Sequence, residues 1–589
     1  MRLPSHPWPA TAGNRSILMF AQLMREMLTP TTFESFRVYS LDTIARMQEA
    51  LLLSEDVRRG KIPQPTLLPV IEEIEWSVEK DPVAKELAGA EILSLLGVVK
   101  NRNNFMLDPF MSHLKLISKL VVPNYKETIE RLILESLGRE RDAINLRKLT
   151  GFYCSFLINA GYMRGHVLHT LNEYFFLHPV QRMGRAKVSR FFSEFDCKPK
   201  KFVVHAAVTH ELGRYLSASD FTVHATGRLT QEQINVLSTN PNYDKTPDCM
   251  ELTTEQFDPH GAANFAYQTL SSQRAISFLD PYGMHCEWGD TMHVAKARAQ
   301  SGISVGRSEF LLRFPSYNRS RTTARWKSIA NHARAINTSF DEASTERLLS
   351  SINTAALATN SLNPENQLIS LWSAFEVLLS DPRDTARIVH YTNLIAPCIA
   401  YRHARKQIIA VYDGLLVLHR RRFMQLVWRT SGEPVPDAVG TFAKMMFLPQ
   451  HANLRTDLCR LVANNPLALH RLWKLNSDYS TPKKAHIAIA DHFSRVMWQI
   501  HRIYRARNQL VHAGRTPTYL ESVIINAAEY YRSAVATIVR SASHEQGKSD
   551  IDQIVAEIGI RYNIYHSKFA NRNNDEMSED DISLIMGTH

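Results

Sequence analysis

Four polar side chains near residue 510 have the types and the spacing that phosphate chemistry requires. Arg507 and Asn508 are adjacent, Tyr504 precedes Asn508 by four residues, and His512 follows it by four. Residues four apart share one face of a helix, so a helix here would place three of these side chains in a row beside the arginine. A guanidinium binds phosphate through a planar fork of donors, and an imidazole transfers protons near neutral pH. The group could therefore bind a phosphate and move a proton.

The helix that must position these residues is visible in the sequence before them. Apolar side chains recur at steps of three and four from Ile489 to Ile503, which predicts an amphipathic helix. The next step along the same stripe is Arg507, and an arginine that faces a core requires an anionic partner, an interface or a cleft. Ala513 and Gly514 supply a helix stop signal.

A second segment accompanies this helix. Residues 371–379 read LWSAFEVLL and carry Trp372 and Glu376 on a predicted helix, and residues 503–512 read IYRARNQLVH. With this combination the chain resembles the HEPN superfamily, whose signature is an arginine, a polar residue and a histidine four to six residues after the arginine. More narrowly, the chain resembles the Apea-like HEPN proteins of bacteria, and the similarity covers roughly residues 345–543.

The resemblance implies a metal-independent endoribonuclease that uses no cofactor. His512 would remove the proton of the RNA 2′-OH or protonate the leaving 5′-oxygen, Arg507 would stabilise the charge on the phosphate, and Asn508 would orient the phosphate or the imidazole. Glu376 and Tyr504 would support the site, with Glu376 holding the arginine in place. The expected products are a 2′,3′-cyclic phosphate and a 5′-OH.

The resemblance also implies partners and a biological role. HEPN nucleases usually dimerise so that two motifs form one composite site, and we therefore expect a homodimer or a higher homo-oligomer. The expected substrate is RNA, with tRNA as one candidate. The expected role is that of a toxic effector in anti-phage defence by abortive infection, activated by a phage-derived trigger. Neither a metal nor a membrane is expected to take part.

The same residues allow a second interpretation. Arg507 could pair with Glu376 inside a bundle while His512 caps the helix, which would leave a non-catalytic module that binds RNA or protein. Spacing alone is weak support for a nuclease, because Arg561 and His566 in the tail repeat it with a tyrosine after the arginine.

Three other patterns resemble a hydrolase motif, a phosphate-binding loop and a metal site, and each is weaker than the motif near residue 510. Residues 302–306 match G-x-S-x-G, but the polar residues before them are unlike the buried strand that a nucleophile elbow requires. Residues 547–549 read GKS but lack the earlier glycine of a P-loop. Several histidines of the middle region have no recognised metal-ligand spacing, and we interpret them as strand and loop residues. These are His205, His210, His224 and His285.

The composition is compatible with an RNA partner. The 589 residues carry a formal charge of +11 with a pI near 9.2, which suits a polyanion. Six cysteines are scattered singly without a CxxC pair, which argues against zinc ribbons and favours reduced thiols. The first residues lack an apolar signal core, and the longest apolar run, residues 408–418, is too short to span a bilayer. We therefore expect a cytoplasmic protein.

Two groups of basic residues are candidates for RNA contacts. Arg502 and Arg505 lie on the helix of the motif, and Arg420, Arg421 and Arg422 form a run in an earlier helical segment. A further basic group alternates with aromatic residues, as in surfaces that stack bases. It comprises Arg313, Arg319, Arg321, Arg325, Lys327 and Arg334. Runs of this kind also occur as solvated faces without a ligand.

The periodicities predict a mostly α chain with a C-terminal HEPN-type helical bundle. We expect a helical N-terminal region over residues 1–195, a small α+β middle region over 196–340, an HEPN-like nuclease domain over 341–545 and a tail over 546–589. The middle region is a candidate sensor, and the whole of residues 1–340 would restrain the nuclease until a signal arrives.

Local patterns also predict the smaller elements. The tail is expected to contain a helix over residues 551–564 and an acidic segment over 575–581 that is solvated or disordered. Alternating and β-prone stretches predict strands in the middle region. These are residues 201–208, 220–226, 284–297 and 309–314.

Overall fold

The computed structural model describes most of the chain. The described residues are 14–30, 32–97, 105–137, 142–177, 183–225, 229–238, 248–299, 301–310, 322–380, 387–431, 437–545, 547–570, 572 and 575–587. Helices dominate them, and one small antiparallel sheet is present. The prediction of a mostly α chain with a small β-containing segment is confirmed.

The elements are numbered in chain order. The chain begins with α1 (Arg15–Leu28), α2 (Thr43–Arg58), α3 (Leu68–Lys80), α4 (Pro82–Gly97), α5 (Leu107–Val121), α6 (Tyr125–Ser136) and α7 (Ala143–Asn159). There follow α8 (Arg164–Asn172), α9 (Arg185–Ser193), β1 (Lys200–Val208), α10 (His210–Ala218), β2 (Thr222–Ala225), α11 (Gln231–Ser238), β3 (Asp248–Gln256), α12 (Pro259–Ile276), β4 (Trp288–Lys296), β5 (Ile303–Gly306) and α13 (Arg307–Phe310).

The elements described in the rest of the chain are helices. It comprises α14 (Thr322–Ser339), α15 (Glu342–Asn360), α16 (Pro364–Leu378), α17 (Arg387–Ala400), α18 (His403–Ser431), α19 (Ala438–Phe447), α20 (Ala452–Leu461), α21 (Pro466–Tyr479), α22 (Pro482–Ala513), α23 (Leu520–Ala542), α24 (Ile551–Ala570) and α25 (Glu579–Met586).

These elements form two compact units. The first contains Met1–Ser155, Pro179–Arg185 and Phe314–His589, and the second contains Phe156–His178 and Ala186–Arg313. This division differs from the predicted one in two ways. The helices just before the sheet group with the sheet, and the N-terminal helices group with the C-terminal bundle.

An aromatic core holds the bundle around α22. Trp372 on α16 is fully buried, and its ring centroid lies 5.2 Å from that of Tyr504 on α22 and 6.1 Å from that of Tyr391 on α17. α16 begins as its sequence indicates, because the side chain of Asn363 accepts a backbone N–H of the first turn and Pro364 takes the first helical position. α16 and α17 are thereby fixed against α22.

α22 itself follows the predicted pattern closely. Its side-chain cap is Thr481, and it ends at Gly514, whose φ of 58° is in the left-handed region that glycine adopts without strain. The apolar stripe from Ile489 to Ile503 faces the core, and both of these residues are buried. The predicted helix and its predicted stop are confirmed.

A buried charge network joins α22 to the N-terminal helices. The guanidinium of Arg502 is fully buried and donates to Glu49 on α2 at 2.8 Å and to Glu73 on α3 at 3.1 Å. Arg505 donates to Glu49 at 3.0 Å, and Arg46 donates to Glu73 at 3.0 Å. A buried guanidinium requires such partners because an unpaired charge in a core is strongly destabilising. The N-terminal helices are therefore part of the core around α22.

The five-stranded sheet organises the second unit. Its strand order is β2-β3-β1-β4-β5, and all neighbours are antiparallel. Alternation along β1 separates two faces, because Phe202, Val204 and Ala206 pack into an apolar core with residues of α10 and α12 while His205 lies on the other face. The apolar face is the one that holds this unit together.

Local predictions for the strands and for the tail had mixed outcomes. β1, β2 and β4 occupy three of the predicted segments, whereas β3 and β5 were not predicted and residues 309–310 belong to α13. Residues 311–314 lie outside the described part of the chain, as do Arg313, Arg319 and Arg321.

Most acidic side chains of the tail segment are exposed, as the prediction of a solvated run requires, and its C-terminal end is the ordered start of α25. Ser578 caps α25 in a capping box with Asp581, and Arg572 pairs with the Asp581 carboxylate. Lys444 on α19 pairs with Glu579. The helix before this segment, α24, runs to Ala570 and is longer than predicted.

Within the described residues, no helix combines the length and the apolar character that crossing a bilayer requires.

The buried network predicts a large effect of a single amide substitution. Glu49→Gln leaves Arg502 and Arg505 without a shared carboxylate, and breaking a buried pair in this way typically lowers the free energy of unfolding by about 3–5 kcal/mol. Denaturant unfolding followed by tryptophan fluorescence measures the change, since the Arg46 guanidinium lies over the Trp76 ring and Trp498 packs against Trp76. The matched control is Glu55→Gln on the same helix, whose exposed carboxylate pairs with Arg58 and should matter little. An equal decrease in the free energy of unfolding of the two variants would contradict the role of Glu49 in the buried network.

The same carboxylate predicts an acid-dependent loss of stability. Burial alone would raise the pKa of Glu49, but Arg502 and Arg505 outweigh it and lower the pKa from 4.5 to about 2. A depressed folded-state pKa stabilises the fold above the ordinary pKa, and that stability is lost as pH falls from about 5 to about 2. The difference in unfolding midpoint between wild type and Glu49→Gln should therefore shrink over that range. A difference that stays constant down to pH 2 would exclude this linkage.

Candidate active site

The predicted motif lines an open cleft of about 530 Å³ at the C-terminal end of α22. Three helices contribute its walls. Lining residues are Ser373, Glu376 and Val377 from α16, Arg387 and Tyr391 from α17, and Tyr504, Arg507, Asn508 and His512 from α22. The structure thus brings together every catalytic and supporting residue that the sequence predicted.

The period of α22 explains one wall of the cleft. Tyr504, Asn508 and His512 are spaced by four residues, so they lie one above the other on the same face. His512 is exposed in the last turn, just before the helix ends at Gly514. A side chain in this position can exchange a proton with water while remaining fixed to a helix.

Arg507 is held at the cleft wall by two contacts. Its Nη1 donates to the side-chain oxygen of Asn508 at 3.1 Å, and its Nη2 lies 3.5 Å from a carboxylate oxygen of Glu376. The other Glu376 oxygen accepts the indole N–H of Trp372 at 2.9 Å. Because Trp372 is itself locked in the core, this chain of contacts orients the guanidinium. The predicted pairing of Arg507 with Glu376 is observed.

The pairing with Glu376 leaves part of the Arg507 guanidinium available to a ligand. The Arg507 side chain is 21% exposed, and its Nε is buried without a hydrogen-bond partner. A contact of 3.5 Å with a single carboxylate oxygen is looser than a bidentate pair. The guanidinium is therefore oriented by Glu376 and still has donors for an anion in the cleft.

Two predicted RNA contacts are not available to a ligand. Arg502 and Arg505 are buried, with Arg502 bonded to Glu49 and Glu73 and Arg505 bonded to Glu49. The expectation that they contact RNA is wrong for this structure, because both guanidiniums point away from solvent into the network with α2 and α3.

The other predicted basic run is exposed but lies elsewhere. Arg420, Arg421 and Arg422 directly follow a kink in α18 at His419, whose φ is −142°. None of the three lines the cleft as described. A role for this run in RNA binding stays a prediction that is separate from the cleft.

The cleft contains residues that the sequence did not identify. Arg387 and Tyr391 are four residues apart at the start of α17, so they point in one direction towards the motif. Their spacing was readable, but an i,i+4 pair predicts a site only when the packing of its helix is known. Arg387 adds a second guanidinium to the cleft and makes it more favourable for an anion.

The Arg and His residues in the tail that repeat the spacing of the motif do not form a similar site. Arg561 pairs with Glu545 and with Glu557, the latter one turn earlier on α24. The His566 ring lies 4.1 Å from that of His486 and 6.0 Å from that of Tyr562. Neither side chain lines the described cleft, so spacing without the surrounding helices forms no such site.

Two other sequence patterns are resolved by the fold. Ser304 lies within the edge strand β5, so residues 302–306 do not form a strand-to-helix nucleophile elbow. His205 and His224 lie on strands, as predicted, whereas His210 begins α10. Both strand histidines lie beside the same Glu251 oxygen, at 3.4 and 3.1 Å. Of the other two histidines, His210 pairs with Asp248 and His285 with Glu287.

The charge of Glu376 predicts how the cleft binds anions. At about 4 Å in a solvated site one unit charge contributes about 1 kcal/mol, so Glu376→Gln should tighten the binding of pyrophosphate roughly fivefold. Arg507→Gln should weaken it. Isothermal titration calorimetry at low salt measures both effects, since salt screens them. Glu365→Gln, on the same helix but outside the cleft, is the control and should bind as wild type. Weaker binding by Glu376→Gln would contradict this electrostatic interpretation.

Comparison with known proteins gives no match to this chain. No family model, no curated protein and no solved structure matches it. The resemblance to HEPN nucleases therefore stays a hypothesis that rests on the two sequence segments quoted above.

Proposed function

We propose that the chain is a metal-independent endoribonuclease of HEPN type that acts in the cleft at the end of α22. The observation that carries the proposal is the convergence of Arg507, Asn508, His512 and Tyr504 on one wall of an open cleft, with Glu376 orienting the arginine. These groups match the needs of RNA cleavage, which are phosphate binding and proton transfer.

The reaction follows from the chemistry of RNA. The 2′-oxygen attacks the adjacent phosphorus as its proton passes to a base, and the bond from phosphorus to the 5′-oxygen breaks as that oxygen gains a proton. The products are a 2′,3′-cyclic phosphate and a 5′-OH. Arg507 would stabilise the added charge on the phosphate oxygens, and Asn508 would orient the phosphate.

Proton transfer gives a reason for a dimer. The reaction needs both a base and an acid, and among the described lining residues His512 is the one imidazole. Two copies of the chain that face each other would supply two imidazoles to one composite site. We therefore propose that a homodimer, or a higher homo-oligomer, is the active form.

The biological role proposed for this activity is a toxic effector in anti-phage defence. Support comes from the resemblance to Apea-like HEPN proteins, and the RNA substrate, with tRNA as a candidate, follows from the same source. The middle region over residues 196–340, most of which belongs to the second unit with its sheet, is the proposed sensor of a phage-derived trigger. Residues 14–137 are less suited to a removable restraint, because Glu49 and Glu73 neutralise a buried arginine of α22. Deleting them would expose that charge.

A non-catalytic RNA-binding module is the second candidate function. It is favoured by the exposed run Arg420, Arg421 and Arg422, which lies outside the cleft and could bind a phosphate backbone without cleaving it. Such a module would bind RNA with strong salt dependence and would leave the RNA intact.

Cleavage of RNA in EDTA tests the nuclease proposal. Arg507→Gln and His512→Gln should each lower the initial rate of cleavage by at least about 100-fold, because one removes charge stabilisation and the other removes the proton-transfer group. The measurement uses labelled RNA and identifies the 2′,3′-cyclic phosphate at the cut ends. An otherwise identical DNA strand should stay intact, since it lacks the 2′-OH.

Arg561 and His566 in the tail supply the matched controls. Arg561→Gln and His566→Gln change the same residue types at the same spacing and should cleave at the wild-type rate. Circular dichroism confirms that all four variants are folded. If wild type does not cleave RNA, or if the motif variants cleave as fast as the tail variants, the nuclease assignment fails. Salt-dependent binding without cleavage would then support the non-catalytic module.

A further inference from the structure

Several polar side chains of the second unit converge where helices begin. α8 carries His166 and, one turn later, His169. α12 begins after its cap Asp258 and has His260 in its first turn, and the short α13 supplies Glu309. These residues have no part in the cleft at the end of α22.

Asp258 fixes the starts of two helices around its carboxylate. Its Oδ1 accepts the backbone N–H of Gly261 at 2.8 Å, and its Oδ2 accepts the backbone N–H of Met163, just before α8, at 2.7 Å. Each carboxylate oxygen can accept a further contact through a second lone pair. The carboxylate is thus held firmly while keeping capacity for another ligand.

The hydrogen bonds of His260 decide which of its nitrogens keeps a lone pair. Its Nε2 lies 3.3 Å from an oxygen of Glu309, and an ionised carboxylate only accepts, so Nε2 carries the proton. In the neutral ring Nδ1 then presents a lone pair. That Nδ1 is buried without a hydrogen-bond partner, and so is Nδ1 of His166. His260 is only 2% exposed, so bulk water does not satisfy it.

The donor atoms of this group face one another. One atom each of His166, Asp258 and His260 lies within 4.8 Å of the other two. Two unpartnered imidazole nitrogens beside a carboxylate are unfavourable in a buried place, and a cation between the three groups would satisfy all of them.

We propose that His166, Asp258 and His260 bind a divalent transition-metal ion of the zinc class. Two imidazole nitrogens and a carboxylate oxygen form a donor set that zinc accepts, with one position left for water or a further side chain. Glu309 is the outer carboxylate that orients a metal-bound imidazole. His169 is exposed, and its ring lies 6.2 Å from that of His260, so it borders the site on the solvent side. This site differs from the sequence-based expectation of no metal.

A second convergent group is less suited to a cation. Glu34, His403 and His492 in the first unit also place donor atoms within 4.8 Å of one another. The positive charges of Lys406 and Arg495 act on both of its histidines and oppose the binding of a further cation. In the proposed site Lys200 and Lys296 act on His166 alone, and the negative charge of Glu309 acts on His260. We interpret the second group as packing between the N-terminal segment and the bundle.

Metal titration of the full-length chain tests the site. Protein without a histidine tag is stripped with a chelator and titrated with Co²⁺, whose visible absorption reports its coordination by nitrogen and oxygen donors. We expect one Co²⁺ per chain, displaced by one equivalent of Zn²⁺, and a higher thermal unfolding midpoint with metal bound.

Four variants define the ligands. His260→Gln should abolish stoichiometric uptake, and Asp258→Asn should weaken it while keeping the helix cap, since asparagine also caps helices. Glu309→Gln leaves the ligands in place and should weaken affinity by about 10–100-fold. His285→Gln changes an exposed histidine of the same unit and should bind as wild type.

The outcomes distinguish metal binding from other ways of satisfying the two buried imidazole nitrogens. A proton shared between the two imidazoles would leave wild type without stoichiometric Co²⁺, which would overturn the proposal. It would also be overturned if His260→Gln, Asp258→Asn and Glu309→Gln bound Co²⁺ as tightly as His285→Gln. If His260→Gln fails to fold, the Asp258 and Glu309 variants still decide the question. None of these measurements depends on cleavage of RNA.

Discussion

The pairing of Arg502 with Glu49 and Glu73 is the interaction on which the first unit depends. A guanidinium with no exposed surface is tolerated only where carboxylates meet its donors, so α22 can pack in this position only when α2 and α3 supply them. The N-terminal helices are consequently part of the core that holds the cleft, although more than 400 residues of sequence separate the partners. A pair buried this deeply sets the rotation of α22 about its own axis.

That rotation decides what each arginine of α22 does. With about 100° per residue, Arg505 lies roughly 60° from Arg502 and faces the same carboxylates, whereas Arg507 lies roughly 140° away and faces the cleft. Tyr504, Asn508 and His512 follow from the same geometry as a row beside Arg507. The site is therefore oriented from two directions, by the buried network on one side of α22 and by Glu376 on the other. Such fixed orientation is what electrostatic stabilisation of a reacting phosphate requires.

The parts of the site that the sequence predicted are those fixed by local pattern. The stripe of α22, its stop at Gly514 and the cap at Asn363 are all read within one or two helical turns. The burial of Arg502 and Arg505 could not be read in this way, because their partners are distant in sequence and an arginine beside a motif looks the same whether it faces a carboxylate or solvent. β3 was missed for a related reason, since its Glu251 is matched by histidines on the two neighbouring strands, which its own sequence does not show.

Burial also distinguishes the histidines that can transfer protons from those that pack in a core or could bind a metal. His501 lies in the middle of α22, where burial lowers its pKa to about 4 and keeps the ring neutral. His512 lies eleven residues later on the same helix and is exposed in its last turn. A general base must exchange its proton with water or substrate in each cycle, so the end of the helix is the place on α22 where an imidazole can act. The rings of His166 and His260 have the opposite property, because each buries an Nδ1 that has no hydrogen-bond partner, which suits a metal ligand.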